Sequence, residues 1–328
     1  MTGVKASTEY GSGVSAAPAR ANAAVAHAAK DETPHDAPAG AANAVLSLEE
    51  AYAWCGRLAR SHYENFTIAS WLMPREMRRY MHAIYAYARM ADDFADDLAD
   101  EEHSIAKLDE WELELDLAYA GSPRHPVFVA LADTVRRYQI PREPFVDLLR
   151  AFRSDVNFQG FDTSDDLLGY ARYSANPVGR LVLYLFGYRD AERQHLSDLV
   201  CSGLQLANFW QDIAIDFSNG RIYLPRRDME RFGVSVDDLR ERRMTPGFVS
   251  MMRHEVEYAR AMLIEGAALN RLVDRRLRRD ILMFAGGGLA ILRAIERAGF
   301  DVFRMRPSLG KLDYVRIGLH ALGGRLAA

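Results

Sequence analysis

Ala91-Asp92-Asp93-Phe94-Ala95-Asp96-Asp97 places four carboxylates within six consecutive residues, at the end of an apolar, helix-patterned run that begins near Pro74. On a helix, Asp92 and Asp96 are i,i+4 neighbours, and so are Asp93 and Asp97. Like charges at that spacing cost about 0.2–0.5 kcal/mol per pair even when solvated, and more when partly buried. A bridging cation would relieve the repulsion. The plain alternative is a solvated acidic helix end running into Asp100-Glu101-Glu102.

A second stretch bears on that choice. Gln205-Leu206-Ala207-Asn208-Phe209-Trp210-Gln211-Asp212-Ile213-Ala214-Ile215-Asp216 sets Asn208, Asp212 and Asp216 at i, i+4 and i+8, with Gln205 three residues ahead. All four fall on one face of an otherwise apolar helix. Mg2+ takes one or two carboxylates and completes its octahedron with water and phosphate oxygens. This helix alone also reads as a solvated polar stripe. Two Asp-x-x-x-Asp helices facing each other across a cavity would repel unless cations and a polyphosphate lay between them. By spacing, the candidate metal ligands are the Asp92/Asp96 and Asp93/Asp97 pairs on one helix and Asn208, Asp212 and Asp216 on the other. Gln205 and Asn208 are also candidates for contact with a diphosphate.

The remaining chain reads as a helical frame. Residues 1–45 are rich in Ala, Gly, Ser and Pro and nearly lack large apolar side chains, which predicts a disordered extension. Residues 46–328 read as one all-α domain of ten or more helices. Ser47-Leu48-Glu49-Glu50 is a capping-box start for a helix to about Arg60, and Pro74 suits the first turn of the helix that ends in the acidic cluster. Helical patterns follow near 104–119, 126–138, 142–153, 163–174, 190–217, 247–273 and 277–298. Asn219-Gly220 reads as a turn or C-cap, and Gly286-Gly287-Gly288 as a place of close helix packing. Sustained period-two alternation is absent. A net charge of −4 argues against a general nucleic-acid binder. Cys55 and Cys201, the two cysteines, both sit in helix-patterned segments and fit a reducing cytoplasm. The sequence shows no secretory signal pattern and no apolar run of about eighteen residues that would span a membrane.

Tyr85-Ala86-Tyr87-Ala88-Arg89-Met90-Ala91-Asp92-Asp93-Phe94-Ala95-Asp96 resembles the first aspartate-rich motif of the squalene/phytoene synthases. Gln205 to Asp216, followed by Gly220-Arg221-Ile222-Tyr223-Leu224-Pro225, resembles their second. The resemblance covers about residues 48–307. It implies the isoprenoid (terpenoid) synthase fold: a helical barrel around a deep apolar cavity, with both acidic helices at its mouth and Mg2+ as cofactor. His62-Tyr63-Glu64-Asn65-Phe66, Ser174-Ala175-Asn176-Pro177-Val178-Gly179, Ala207 to Asp212 and Gly286 to Leu289 are similar to the bacterial hopanoid branch, whose members act as hydroxysqualene synthases. The implied reaction converts presqualene diphosphate to hydroxysqualene by loss of diphosphate and capture of water. Two departures bear on this. Relatives that condense two prenyl diphosphates often carry small hydroxyl residues where this chain has Tyr63, Glu64 and Asn65, and an Arg where it has Gln211. Both changes remove diphosphate-binding groups, as expected of a site that processes one diphosphate.

The resemblance also implies roles. It selects Asp92 and Asp96 as the metal ligands of the first helix. Arg89, one turn before Asp92, and Arg221 would bind diphosphate oxygens; ion pairs with neighbouring aspartates are the plain alternative for both. Tyr85 and Tyr170 match cavity-lining places and are candidate faces for a carbocation, whereas Phe66 and Trp210 read first as ordinary core. Asn65 or Asn176 would position the quenching water. His62 matches a family position, as a helix-start hydrogen-bonding residue rather than a catalyst. No Gly-rich dinucleotide fingerprint is present, and NADPH is not expected; histidine spacing suggests no zinc site. The expected partners are an isoprenoid diphosphate substrate and, along the implied pathway, a presqualene diphosphate synthase and a hydroxysqualene reductase. The tail from Arg304 to Arg325 carries five basic residues against Asp313, interleaved with leucines, which suggests contact with an anionic membrane surface. The expected location is the cytoplasm, at or near the inner membrane. Two other readings stay open: a head-to-head condensing synthase making presqualene diphosphate, squalene or phytoene, and a non-catalytic assembly factor of the same fold. The latter would be expected to lose metal aspartates, and Asp92, Asp96, Asp212 and Asp216 all remain.

Overall fold

A computed structural model describes residues 47–61, 73–96 and 101–327. The expected N-terminal extension, His62 to Phe66 and Asp97 lie outside the described residues. Everything regular in the described residues is helix: α1 (Leu48–Ser61), α2 (Arg75–Ala95), α3 (Glu101–Tyr119), α4 (Pro126–Tyr138), α5 (Glu143–Val156), α6 (Ser164–Ser174), α7 (Asn176–Leu185), α8 (Ala191–Ser218), α9 (Arg226–Arg231), α10 (Val236–Arg240), α11 (Pro246–Gly266), α12 (Arg275–Arg297) and α13 (Lys311–Leu322). The all-α reading of the sequence holds because its apolar residues recur at helical spacing and its starts are capped. The Ser47 hydroxyl accepts from the Glu50 amide at 3.3 Å while the Glu50 carboxylate accepts from the Ser47 amide at 2.9 Å. Thr163 and Asp166 form the same reciprocal box at the head of α6.

Boundaries differ in places. The expected 247–273 helix is α-helical only to Gly266 and continues as a 3-10 helix over Ala267–Arg271. At Gly266 the backbone of α8 comes so close that a Cβ would lie 2.7 Å from the Val200 nitrogen and 2.9 Å from the Leu196 oxygen. The segment after Ser174, not read separately from sequence, restarts as α7 with Pro177 in its first turn. In α12 the three glycines serve different ends. A Cβ on Gly288 would meet Leu263 and Leu204 at 2.8 and 2.9 Å, one on Gly286 would meet Ile317 of α13 at 3.3 Å, and Gly287 faces open space.

Two apolar clusters form around the two acidic helices. The first is built by α1 to α5 with Leu181 and Leu185 of α7, and the second by α6, α8 to α12 and Ala151 of α5. Helix α2 packs on α1, α3, α4 and α5; α8 packs on α6, α7, α11 and α12; and α7 touches both α2 and α8. The two acidic helices are thus each the central member of one cluster, joined through α5, α6 and α7.

Candidate active site

A single unbroken helix, α8, carries Gln205, Asn208, Asp212 and Asp216, while the last two turns of α2 carry Arg89, Asp92 and Asp93, with Asp96 as its C-cap. Asp92, Asp212, Asp216 and Gln205 are buried; Arg89, Asp96 and Asn208 are half-buried. Ionised carboxylates withdrawn from water this far need cations or protons.

The chain supplies part of that charge itself. On α2, Arg89 pairs with Asp92 at 3.3 Å and with Asp93, its i,i+4 neighbour. The ion-pair alternative for Arg89 is therefore what the structure shows, and Asp93 is held by Arg89. At the other wall, α8 ends in a Schellman turn: Gly220 takes φ +77°, and the Arg221 amide donates to the Asp216 carbonyl at 2.8 Å. That turn folds the buried Arg221 back toward the acidic face. Its Nη2 donates to the Asp155 carbonyl at 3.2 Å, its Nη1 to the Tyr223 hydroxyl at 3.3 Å, and its guanidinium lies 5.5 Å from the Phe158 ring centre.

Three contributors were not read from sequence. Asp155, at the end of α5, is buried and accepts from the Tyr170 hydroxyl at 2.8 and 3.1 Å. Tyr223 stacks on Phe209 with ring centres 3.8 Å apart. Arg306, from the segment after α12, embraces Asp212: Nη2 donates to Oδ2 at 3.0 Å and Nε donates to Oδ1. Gln211 holds that segment in place. Its Oε1 accepts from Arg306 at 3.3 Å, and its Nε2 donates to the Pro307 carbonyl. The replacement of an expected Arg by Gln211 therefore does not strip the second motif of positive charge, because Arg306 brings a guanidinium to the same helix face from 94 residues away. No spacing rule could have revealed it; Arg306 reads as one of five basic residues in a tail.

Electrostatics join the walls. Burial pushes the Asp92 carboxyl well above the usual range, the Asp96 charge adds to this, and Arg89 opposes it. Asp216 is pushed up to about 8 by burial and by Asp212, against Arg221 and Arg306. Asp155 is pushed up to about 7 by burial, against Arg221 and the Tyr170 hydrogen bond, with Asp96 raising it further. Asp155 thus feels Asp96 of one wall and Arg221 of the other. Burial, followed by Asp155, keeps the Tyr170 phenol protonated as the donor.

Tyr85 is buried beside Arg89 and Asp92 yet belongs to neither apolar cluster. The Tyr170 ring lies within an aromatic group with Phe161, Phe209 and Tyr223, while Trp210 is wholly buried in the second cluster. Asn176 is buried and accepts from the Ser202 hydroxyl at 2.8 Å. Asn65 and Phe66 lie outside the described residues.

The donor set fits a divalent cation that arrives with its phosphate. Among the described residues no three His, Cys, Asp or Glu side chains converge to hold a metal unaided. Yet Asp92 Oδ1 and Asp216 Oδ2 are buried carboxylate oxygens without a hydrogen-bond partner among the described residues. Such oxygens suit Mg2+, which binds through one or two carboxylates and keeps its other positions for water and phosphate.

Comparison with known proteins decides the family. A sequence model of squalene/phytoene synthases matches residues 59–313. The chain belongs to the squalene/phytoene synthase family. It is 34% identical over 271 residues to a hydroxysqualene synthase of Sinorhizobium fredii, covering 80% of this chain and 89% of that protein. It is 32% identical over 284 residues to a phytoene synthase of Mycobacterium bovis, covering 85% and 92%. The crystal structure of squalene synthase HpnC from Alicyclobacillus acidocaldarius superposes with a TM-score of 0.75 at 44% identity, covering 80% of this chain and 99% of that one. A dehydrosqualene synthase in complex with ligand gives a TM-score of 0.75 at 25% identity, covering 84% and 96%. The fold is the terpenoid synthase fold, and family membership makes the chain an isoprenoid synthase acting on prenyl diphosphates.

Proposed function

We propose that this enzyme converts presqualene diphosphate to hydroxysqualene. The observation that carries the reading is the charge arrangement: buried carboxylates on two helices, Asp92 on one and Asp212 and Asp216 on the other, ringed by Arg89, Arg221 and Arg306. That set suits one diphosphate bound with Mg2+. The similarity to a hydroxysqualene synthase and to an HpnC squalene synthase supports the choice within the family.

Asp92, Asp96, Asn208, Asp212 and Asp216 would hold Mg2+, which neutralises the buried carboxylates and the charge developing on the leaving diphosphate. The residues of the chain do the rest. Arg221 and Arg306 present fixed guanidinium groups to phosphate oxygens, with Arg89 behind Asp92 and Gln205 and Asn208 adding amides. The C–O bond to diphosphate breaks with its electron pair leaving on oxygen, and a cyclopropylcarbinyl cation remains. Tyr85 and Tyr170 offer aromatic faces to it. Water adds to the rearranged cation and gives up a proton, with Asn176 as the candidate orienting group. This route balances without a reductant, so no NADPH is required.

The second reading is a condensing synthase, favoured by the similarity to a phytoene synthase. Purified protein with Mg2+ and either presqualene diphosphate or farnesyl diphosphate separates the two. Hydroxysqualene formed from presqualene diphosphate without NADPH is the expected result. Consumption of farnesyl diphosphate alone would sink the proposal.

A further inference from the structure

Among the described residues, nothing covers one apolar face of helix α13. Leu312, Val315, Leu319 and Leu322 are 85%, 58%, 64% and 63% exposed. Spaced i, i+3, i+7 and i+10, they share one side of the helix. The opposite side carries Ile317 and Ala321, both buried, and Ile317 sits against Gly286 of α12. A soluble helix normally turns leucines inward; this one is apolar on both faces, and among the described residues only one of them is packed. Met305, just before the segment that enters the acidic site, is 76% exposed.

The charges around this face have one sign. Lys311 and Arg316 are exposed on either flank of the leucine row, and Arg304 and Arg325 are exposed just beyond the ends of the helix. Asp313, the one acid of α13, is committed elsewhere: its carboxylate accepts from the Gly310 amide at 2.9 Å and lies 3.9 Å from Arg297. On the adjoining surface of α12, burial and then the charges of Arg316, Arg260 and Arg297 disfavour the charged form of Arg293, with Asp313 opposing them. Positive charge is therefore concentrated around the apolar row without matching acids on α13. A second protein surface would have to supply both a complementary groove and several acids. A bilayer containing acidic lipids supplies apolar depth and negative headgroups at once, with basic side chains reaching up to the phosphates.

We propose that α13 docks this enzyme on an anionic phospholipid bilayer, lying in the headgroup plane with Leu312, Val315, Leu319 and Leu322 in the acyl boundary. The docking surface is tied to the acidic site by a short tether. Arg306 is bonded to Asp212, the Pro307 carbonyl is bonded to Gln211, and α13 begins at Lys311. Docking therefore sets the acidic site close to the bilayer, where apolar substrates partition. The inference stands on the exposed face and its charges, whichever prenyl diphosphate the site takes.

The test is flotation of the full chain with phosphatidylglycerol/phosphatidylethanolamine vesicles and with phosphatidylcholine vesicles. The wild-type chain is expected to float with the anionic vesicles and to release as salt rises. Leu312→Glu/Leu319→Glu should weaken binding about tenfold or more. The gentler Leu312→Ser/Leu319→Ser should weaken it in the same direction, and Lys311→Gln/Arg316→Gln should erase the preference for anionic lipid. Circular dichroism of each variant, and turnover of detergent-dispersed substrate, should match wild type, since these side chains are exposed and remote from the reacting groups. Three results would overturn the proposal: no flotation of the wild-type chain, equal flotation with phosphatidylcholine, or a solution dimer that Leu319→Glu dissociates. The last would make a second copy of the chain the occupant of this face.

Discussion

At the residue scale, the site is legible where chemistry repeats at helical spacing and hidden where it does not. Asp92, Asp96, Asp212 and Asp216 stand out as candidates because paired carboxylates at i,i+4 are costly without a cation. Asp155 and Arg306 belong to no such i,i+4 pattern and become significant only through Tyr170, Arg221 and Asp212. Asp216→Asn should lower kcat/KM by about three orders of magnitude while leaving the far-ultraviolet circular dichroism unchanged; retained turnover would remove Asp216 from the metal set. Arg306 offers a sharper test because sequence reasoning did not select it. Arg306→Met should cost about 10- to 100-fold in kcat/KM and weaken inhibition by inorganic pyrophosphate, with Arg306→Lys recovering only part, since an ammonium lacks the two-pronged guanidinium geometry. Gln211→Ala should fall in between, because it loosens the segment that aims Arg306.

At the scale of elements, helix identities followed from apolar periodicity, capping boxes and proline starts, while ends and contacts depended on neighbours. The glycines make the point. Gly266→Ala drives a methyl group into the backbone of α8 at Val200 and Leu196 and should cost about 1–3 kcal/mol in urea unfolding. Gly287→Ala, one residue from a tightly packed glycine, meets open space and should stabilise α12 by up to about 1 kcal/mol through helix propensity alone. Glu255 of α11 gives a pH test distant from the metal ligands. It is buried, its Oε1 has no hydrogen-bond partner among the described residues, and burial followed by Asp228 pushes its carboxyl up from 4.5 to about 8. Its folded pKa is raised, so its contribution to stability is complete below about pH 4.5 and is lost as pH rises through about 8. Glu255→Gln, neutral throughout, should therefore match wild type at pH 4 and melt increasingly higher than wild type between pH 5 and 8. Parallel melting curves at every pH would show that Glu255 ionises freely.

At the scale of the whole molecule, α2 and α8 belong to different apolar clusters, and Asp155 between them feels Asp96 on one side and Arg221 on the other. A cation and a diphosphate bound between them stabilise the folded state according to their affinity for it. Mg2+ and pyrophosphate added together should raise the melting temperature by more than the sum of their separate shifts, and Asp92→Asn should abolish the excess. Simple additivity would mean that the two walls do not share a ligand. By itself the sequence determined that the chain is helical and which faces of two helices carry carboxylates, because spacing along a helix dictates which side chains share a face. Only the tertiary structure decided which cations the protein provides for itself. Arg221 reaches Asp155 through a glycine turn, and Arg306 reaches Asp212 from the far end of the chain, across separations that no local periodicity encodes. The first acidic cluster, ambiguous as a stretch of seven residues, acquires its chemistry from the residues that folding brings around it.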